Sequence, residues 1–173
     1  MTKYPMGSVI CGTMLPKDLI PAFTSELDSL VKHKIPNFPI VESKVRKAHR
    51  QLVRDAESWM AEATQSEEET GIEGWELDEI GEDYLEDLYN ALDCYAGPYF
   101  YFGAHPGDGA DHGWWLSEDW EELLKEDGGI KVNNWDLVPK GFVGLIAVVN
   151  DHGNVSLLNK PPHHKAIEIW SVV

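Results

Sequence analysis

The sequence predicts an α+β fold, in which N-terminal helices pack on a C-terminal antiparallel sheet within a single α+β domain spanning residues 1–173. Up to about residue 95, apolar residues recur at three- and four-residue steps, which is typical of amphipathic helices. From residue 98 onward, short apolar or alternating runs are separated by Gly, Pro, Asn and Asp, which is typical of strands and turns. A chain of 173 residues suits one domain with a sizeable core.

The first third of the chain predicts one strand and two helices. The segment GSVICGTML, residues 7–15, has an apolar centre between glycines and predicts a short buried strand. A helix is expected to begin at Pro21, because proline lacks a backbone N–H and the first helical position does not need one. The next helix carries an apolar stripe formed by Val41, Val45, Ala48, Leu52, Ala56, Trp59 and Ala63. Its outer side is basic, and the following QSEEETGIEG segment, residues 65–74, predicts a loop.

A third helix is predicted from about residue 77 to residue 95, with one apolar face and an acidic remainder. The apolar face is formed by Leu77, Ile80, Tyr84, Leu88, Ala91 and Tyr95. Seven carboxylates lie between Glu76 and Asp87, and at about 1.5 Å per residue they span roughly 16 Å. Their density, about one charge per 2.4 Å, is comparable to the one charge per ~1.7 Å of duplex DNA.

The second half predicts strands with one short helix between them. SEDWEELLKEDGG is typical of a helix with Ser117 as its N-cap and Gly128 after its end. Segments 142–149 and 155–158 are expected to pair as an antiparallel hairpin across Asp151–Gly153. Residues 166–173 alternate and predict a final strand.

The negative charge is concentrated in one region of the chain. The net charge is −16, and residues 61–127 hold 21 Asp or Glu against one Lys. Residues 1–60 and 128–173 carry small positive excesses of +3 and +1. Such an uneven distribution indicates an acidic face, and it excludes direct binding to nucleic acid or anionic lipid by repulsion.

The sequence also predicts a cytoplasmic location. Cys11 and Cys94 lack metal-site or redox spacing and are expected to be reduced, buried thiols. The first residues lack the basic start and apolar run of a signal peptide. No stretch approaches the ~18 consecutive apolar residues of a membrane span.

The segment FGAHPGDGADHGWW, residues 102–115, is the best candidate for chemistry. It contains four possible ligands of Zn²⁺, Fe²⁺ or Mn²⁺, namely His105, Asp108, Asp111 and His112. Their spacing matches no established metal or nucleotide motif, and no serine stands in a nucleophile elbow. One interpretation is a metal- or small-ligand-dependent enzyme. The preferred one is a structured turn, with no catalytic residue and no cofactor.

Charge and size give the chain a general resemblance to DNA-mimic and immunity-type inhibitors of nucleases and phage defence systems. No sequence motif carries this resemblance, so it assigns no residues. It implies a non-enzymatic, anti-defence type of inhibitor that docks on the basic surface of a nuclease or other nucleic-acid-binding protein and occludes it. From their charge, the expected contact residues are Glu67, Glu68, Glu69, Glu76, Glu79, Glu82, Asp83, Glu86 and Asp87.

Three alternatives compete with this hypothesis. An assembly chaperone would shield a basic partner without inhibiting it. The acids could be an ordinary solvated face, which is the usual role of charged runs. They could also pair inside the protein with the basic side of the second helix, through Lys47, Arg50 and Arg54.

Overall fold

In a computed structural model, residues 4–32, 41–70 and 79–172 are described, and they form four α-helices and two β-sheets. The three long helices lie in the first half of the chain and most strands in the second, which confirms the predicted α+β class. These residues form two compact units, Tyr4–Trp115 and Leu116–Val173. The single domain expected from the sequence stays a prediction.

The unit Tyr4–Trp115 places three helices on a three-stranded sheet. Its elements are β1 (Gly7–Cys11), α1 (Pro16–Lys32), α2 (Ser43–Thr70), α3 (Glu79–Asp93), β2 (Phe100–His105) and β3 (Asp108–Leu116). The strand order is β1-β3-β2, and β1 runs antiparallel to β3 with Gly7 opposite Trp114. The N-terminal strand predicted from its apolar centre is therefore present, and it pairs with a strand about one hundred residues away.

Helix α1 is the centre of this unit. It buries one whole face, formed by Leu19, Ile20, Phe23, Leu27, Leu30 and Val31. The ring of Phe23 meets the rings of Tyr89 and Phe102, with centroids 4.9 and 5.1 Å away, and Phe102 in turn meets Trp114. Both α2 and α3 pack along α1, whereas they contact each other far less, so the two helices diverge above it.

Several helix boundaries differ from those expected. Helix α1 begins at Pro16, so Pro21 lies inside the helix and Pro16 occupies the start. Residues 65–70, predicted as a loop, continue α2 to Thr70. Acid-rich sequence is compatible with a helix where polar side chains bond along it, as Gln65 does to the Glu69 carboxylate at 2.8 Å.

Three expectations about burial were wrong, and the first concerns Ala48 of the predicted apolar stripe of α2, which is exposed. On the predicted apolar face of α3, Leu88, Ala91 and Tyr95 are buried as expected, but Ile80 is 53% exposed and the neighbouring Gly81 is buried in its place. Leu77, expected on the same face, lies outside the described residues. Both cysteines are free and exposed, since Cys11 ends an edge strand and Cys94 follows the last turn of α3.

The unit Leu116–Val173 contains a four-stranded sheet and a short helix. Its elements are α4 (Trp120–Glu126), β4 (Ile130–Val132), a 3₁₀ turn (Trp135–Leu137), β5 (Gly144–Val149), β6 (Val155–Lys160) and β7 (Ile167–Val172). The order is β4-β5-β6-β7. Strands β5 and β6 pair as the predicted antiparallel hairpin, and Gly153 takes the positive φ of +84° in its turn.

The strands do not form the single antiparallel sheet expected for residues 98–173. Strand β3 pairs with β1 on one side and β2 on the other in the first unit, and β4 runs parallel to β5 in the second. Strand patterns show which residues face a core, but they do not specify which distant strand will be the partner. At α4, Asp119 is the N-cap where Ser117 was expected, while Gly128 follows the end of the helix as predicted.

Candidate functional site

Helix α3 presents a row of carboxylates on the side opposite its buried face. Glu82, Asp83, Glu86 and Asp87 are all exposed. Glu82–Glu86 and Asp83–Asp87 are like-charge pairs four residues apart, which repel each other on a helix. Among the described residues, no Lys or Arg forms an ion pair with these four. We refer to Glu82, Asp83 and Glu86 as the acidic ridge.

Acids of α2 converge on the same region from the neighbouring helix. Burial raises the pKa of the Tyr84 hydroxyl, and the carboxylates of Asp55, Glu62 and Asp87 raise it further. The contribution of α2 was missed in the sequence, although Asp55, Trp59 and Glu62 share one helical face by their spacing. Acidic side chains of two helices therefore form one surface around Tyr84.

The remaining predicted contact residues are described in part. Glu68 and Glu69 are exposed near the end of α2. The side chains of Glu67 and Glu79 lie outside the described atoms, and Glu76 lies outside the described residues altogether.

The basic side of α2 does not neutralise this surface in the part of the chain that the structure describes. Arg50 donates to the Val31 carbonyl of α1 at 3.3 Å. Arg54 donates to the side-chain oxygen of Gln51. Neither they nor Lys47 form an ion pair with a described carboxylate of α3, so the internal network considered above is not formed there.

A groove of about 570 Å³ lies between α2 and α3. The groove exists because α2 and α3 both pack on α1 but diverge from each other. An aromatic contact lies at each end of it. Trp59 meets Tyr84 with ring centroids 5.6 Å apart, and His49 meets Tyr95 with centroids 5.5 Å apart. The walls are mainly apolar, with Asp55 and Asp87 at one end.

The four possible metal ligands belong to the β2–β3 hairpin and its short turn. The His105 Nδ1 accepts from the Gly107 N–H, and the Asp108 carboxylate accepts from the Ala110 N–H, both at 3.0 Å. His112 instead points into the core, where its Nδ1 lies 2.6 Å from the Tyr89 hydroxyl. Within residues 4–32, 41–70 and 79–172, no three His, Cys, Asp or Glu side chains are grouped to hold a metal ion.

Two buried histidines make the first unit sensitive to acid. His112 and His49 are 4% and 8% exposed, and each is bonded to a tyrosine hydroxyl. Burial lowers the pKa of both imidazoles from 6.5, and for His112 the nearby carboxylates of Asp111 and Asp108 oppose this shift. Both are neutral in the folded protein at pH 7, and unfolding lets them take up protons more readily.

We therefore expect the free energy of unfolding to fall as the pH drops below 6.5. Each histidine contributes at most about 1.4 kcal/mol per pH unit, until its folded-state pKa is reached. Urea unfolding at pH 7.5 and at about pH 5.5, above the range where most carboxylates titrate, measures the slope. His112→Gln should reduce it, while His152→Gln in the exposed β5–β6 turn should not. Equal slopes in the two variants would contradict this assignment.

Comparison of the chain with models of protein families, with curated proteins and with solved structures finds no match. No helix in the described part of the chain is both long and apolar enough to cross a membrane. The functional argument therefore depends on the acidic surface of α2 and α3 and on the groove between these helices.

Proposed function

We propose that the protein is a non-enzymatic binding protein whose acidic surface docks on a basic, nucleic-acid-binding surface of a partner protein and inhibits it by occlusion. The observation that carries this proposal is the unpaired state of the exposed carboxylates on α3 among the described residues. The surface continues on α2 through Asp55 and Glu62, whose charges act on Tyr84.

The energetics of the ridge support a binding role. Like charges at four-residue spacing destabilise a helix, and each pair costs a few tenths of a kcal/mol. A basic partner would turn this repulsion into attraction across the interface and would speed association at low salt. A dense row of carboxylates on α3 presents the kind of charge that nucleic-acid-binding surfaces hold.

The proposed partner is a nuclease or another nucleic-acid-binding protein, as in inhibitors of the DNA-mimic, immunity or anti-defence type. The proposed contacts keep the acids expected from the sequence, and the described ones among them are Glu68, Glu69, Glu82, Asp83, Glu86 and Asp87. An assembly chaperone would use the same contacts, but its partner would keep its nucleic-acid-binding activity.

The first test compares two variants of equal net charge. The ridge variant carries Glu82→Gln, Asp83→Asn and Glu86→Gln, and the control carries Glu118→Gln, Glu122→Gln and Glu126→Gln on and beside α4. All six side chains are exposed. Purified nucleases and other basic DNA-binding proteins serve as probes, and the readouts are affinity and residual DNA binding.

We expect at least one probe to bind and to lose its DNA binding, with binding weakened as salt rises from about 0.05 to 0.2 M. The ridge variant should bind it about tenfold or more weakly, because three exposed ion pairs of up to ~1 kcal/mol each are lost. The control should stay within about twofold of the parent protein. The melting temperature of the ridge variant should be unchanged or slightly higher, because repulsion is relieved. An equal loss of affinity in the ridge variant and the control would show that binding depends only on net charge, and it would contradict a specific docking face.

A further inference from the structure

The α2–α3 groove has a polar end and an apolar middle, which together define the kind of group it can hold. Leu52 and Ala91 line the middle, and Asp55, Asp87 and Tyr84 line one end. The Gln51 amide donates to the Asp55 carboxylate at 2.7 Å and so holds it in place. Asp87 accepts no hydrogen bond and forms no ion pair within the described part of the chain.

The opposite end of the groove contains a hydrogen-bonding group with an open position. His49 is more than nine-tenths buried and lines the groove, and its Nδ1 lies 3.1 Å from the Tyr95 hydroxyl. The other ring nitrogen of His49, Nε2, has no hydrogen-bond partner among the described residues, and it can donate or accept according to the tautomer of the ring.

A purely apolar occupant would bury the negative charges of Asp55 and Asp87 without a compensating cation, which is costly. An anionic occupant would be repelled by the same two carboxylates. A long side chain with a cationic head satisfies both parts of the groove, because its stem can lie on apolar walls while its charge meets the carboxylates. Arginine is better suited than lysine, since its planar guanidinium has five donors and also stacks on aromatic rings.

We infer that the groove binds one arginine side chain of the basic partner, with the guanidinium between Asp55 and Asp87 against the Tyr84 ring. The stem lies along Leu52 and Ala91, and the free Nε2 of His49 forms a hydrogen bond with the backbone of the same partner segment. This inference rests on the proposed function and adds the chemistry of one anchoring contact. The ridge supplies general attraction, and the groove supplies selectivity for the side chain.

Short blocked peptides with one central residue between two leucines provide the probe. The central residue is arginine, lysine or citrulline, and citrulline keeps the shape of arginine without its charge. Binding is followed by amide chemical shifts in NMR titrations, with attention to Leu52, Asp87 and Ala91. We expect the arginine peptide to bind at these residues, the lysine peptide more weakly, and the citrulline peptide at least about tenfold more weakly. Equal binding of arginine and citrulline peptides would overturn the inference.

Two matched pairs of variants locate the contact. Ala48→Trp fills the groove at an exposed position of α2, and Ala61→Trp places the same side chain elsewhere on that helix. Asp87→Asn removes a carboxylate of the groove, and Asp151→Asn removes an exposed carboxylate from the β5–β6 turn, outside the proposed contacts. We expect Ala48→Trp and Asp87→Asn to lower the affinity for the arginine peptide about tenfold. The two control variants should change this affinity by less than about twofold. Equal effects within either pair would overturn the inference.

The same variants separate this inference from the proposed function. One outcome is that the partner protein binds the Ala48→Trp variant normally but does not bind the ridge variant. The acidic surface then docks without using the groove, and only the inference fails. If the arginine peptide binds in the groove while no basic protein responds to the ridge variant, only the proposed function fails. A dimer of the free protein that Ala48→Trp dissociates would assign the groove to a second copy of this chain and overturn the inference.

Discussion

Replacing Phe23 by alanine is expected to lower the free energy of unfolding by about 3–5 kcal/mol, the largest stability effect foreseen for a single site. The Phe23 side chain is fully buried at the centre of the first unit. Its ring contacts those of Tyr89, Phe102 and His112, with the last centroid 5.9 Å away. Truncation removes these contacts and leaves a cavity that rigid aromatic neighbours cannot close. Urea unfolding of the full chain, followed by tryptophan fluorescence, measures the change.

Ile80→Ala is the control for this experiment. The Ile80 side chain is 53% exposed, so its truncation should change the free energy of unfolding by no more than about 0.5 kcal/mol. The sequence placed Ile80 on the core face of α3, and that interpretation requires a loss of several kcal/mol. A large effect of Ile80→Ala, or a small effect of Phe23→Ala, would contradict the packing described for the first unit.

Replacing Gly113 by alanine is expected to disrupt the pairing of β1 with β3. A Cβ atom at this position would lie 2.1 Å from the Gly7 carbonyl oxygen and 2.9 Å from the Ser8 Cα. Both are backbone atoms, so β1 itself would have to move. The loss should reach or exceed the upper end of the about 1–3 kcal/mol typical of overpacking. Thermal unfolding measures its size, and hydrogen exchange of the β1 amides should show that the strand is released.

Gly109→Ala provides the matched control near the start of the same strand. No atom lies within 4 Å of a Cβ built there, so the methyl group would enter open space. The two substitutions change the flexibility of the unfolded chain in the same way, and their difference therefore isolates the clash. Similar stabilities of the two variants would show that β1 does not approach Gly113 as described.

The types of element could largely be predicted from the sequence because they depend on local patterns. The three-and-four spacing in α2 indicated a helix, and the turn residues 151–153 indicated the β5–β6 hairpin. The acidic character of α3 was equally evident, since charge is a property of composition. Boundaries were less certain: residues 65–70 extend α2 although their composition is that of a loop.

The choice of buried face depended on tertiary packing. Ile80 and Gly81 are adjacent on α3, and hydropathy alone favoured burying Ile80. The structure buries Gly81 with Leu88 and Leu92, because the helix meets α1 along that side. A small residue such as Gly81 allows α3 to pack closely on α1. Hydropathy values of single residues contain no information on the shape of the neighbouring helix.

The candidate site divides in the same way. By itself, the sequence determined that a dense and unneutralised acidic segment exists, because the order of residues fixes the charge along a helix. Only the tertiary structure decided that Asp55 and Glu62 of α2 lie near Tyr84 of α3, that His112 is a core residue, and that a groove separates α2 from α3. These features join residues far apart in the chain, and their proximity results from how α2 and α3 both pack on α1, which no local pattern encodes.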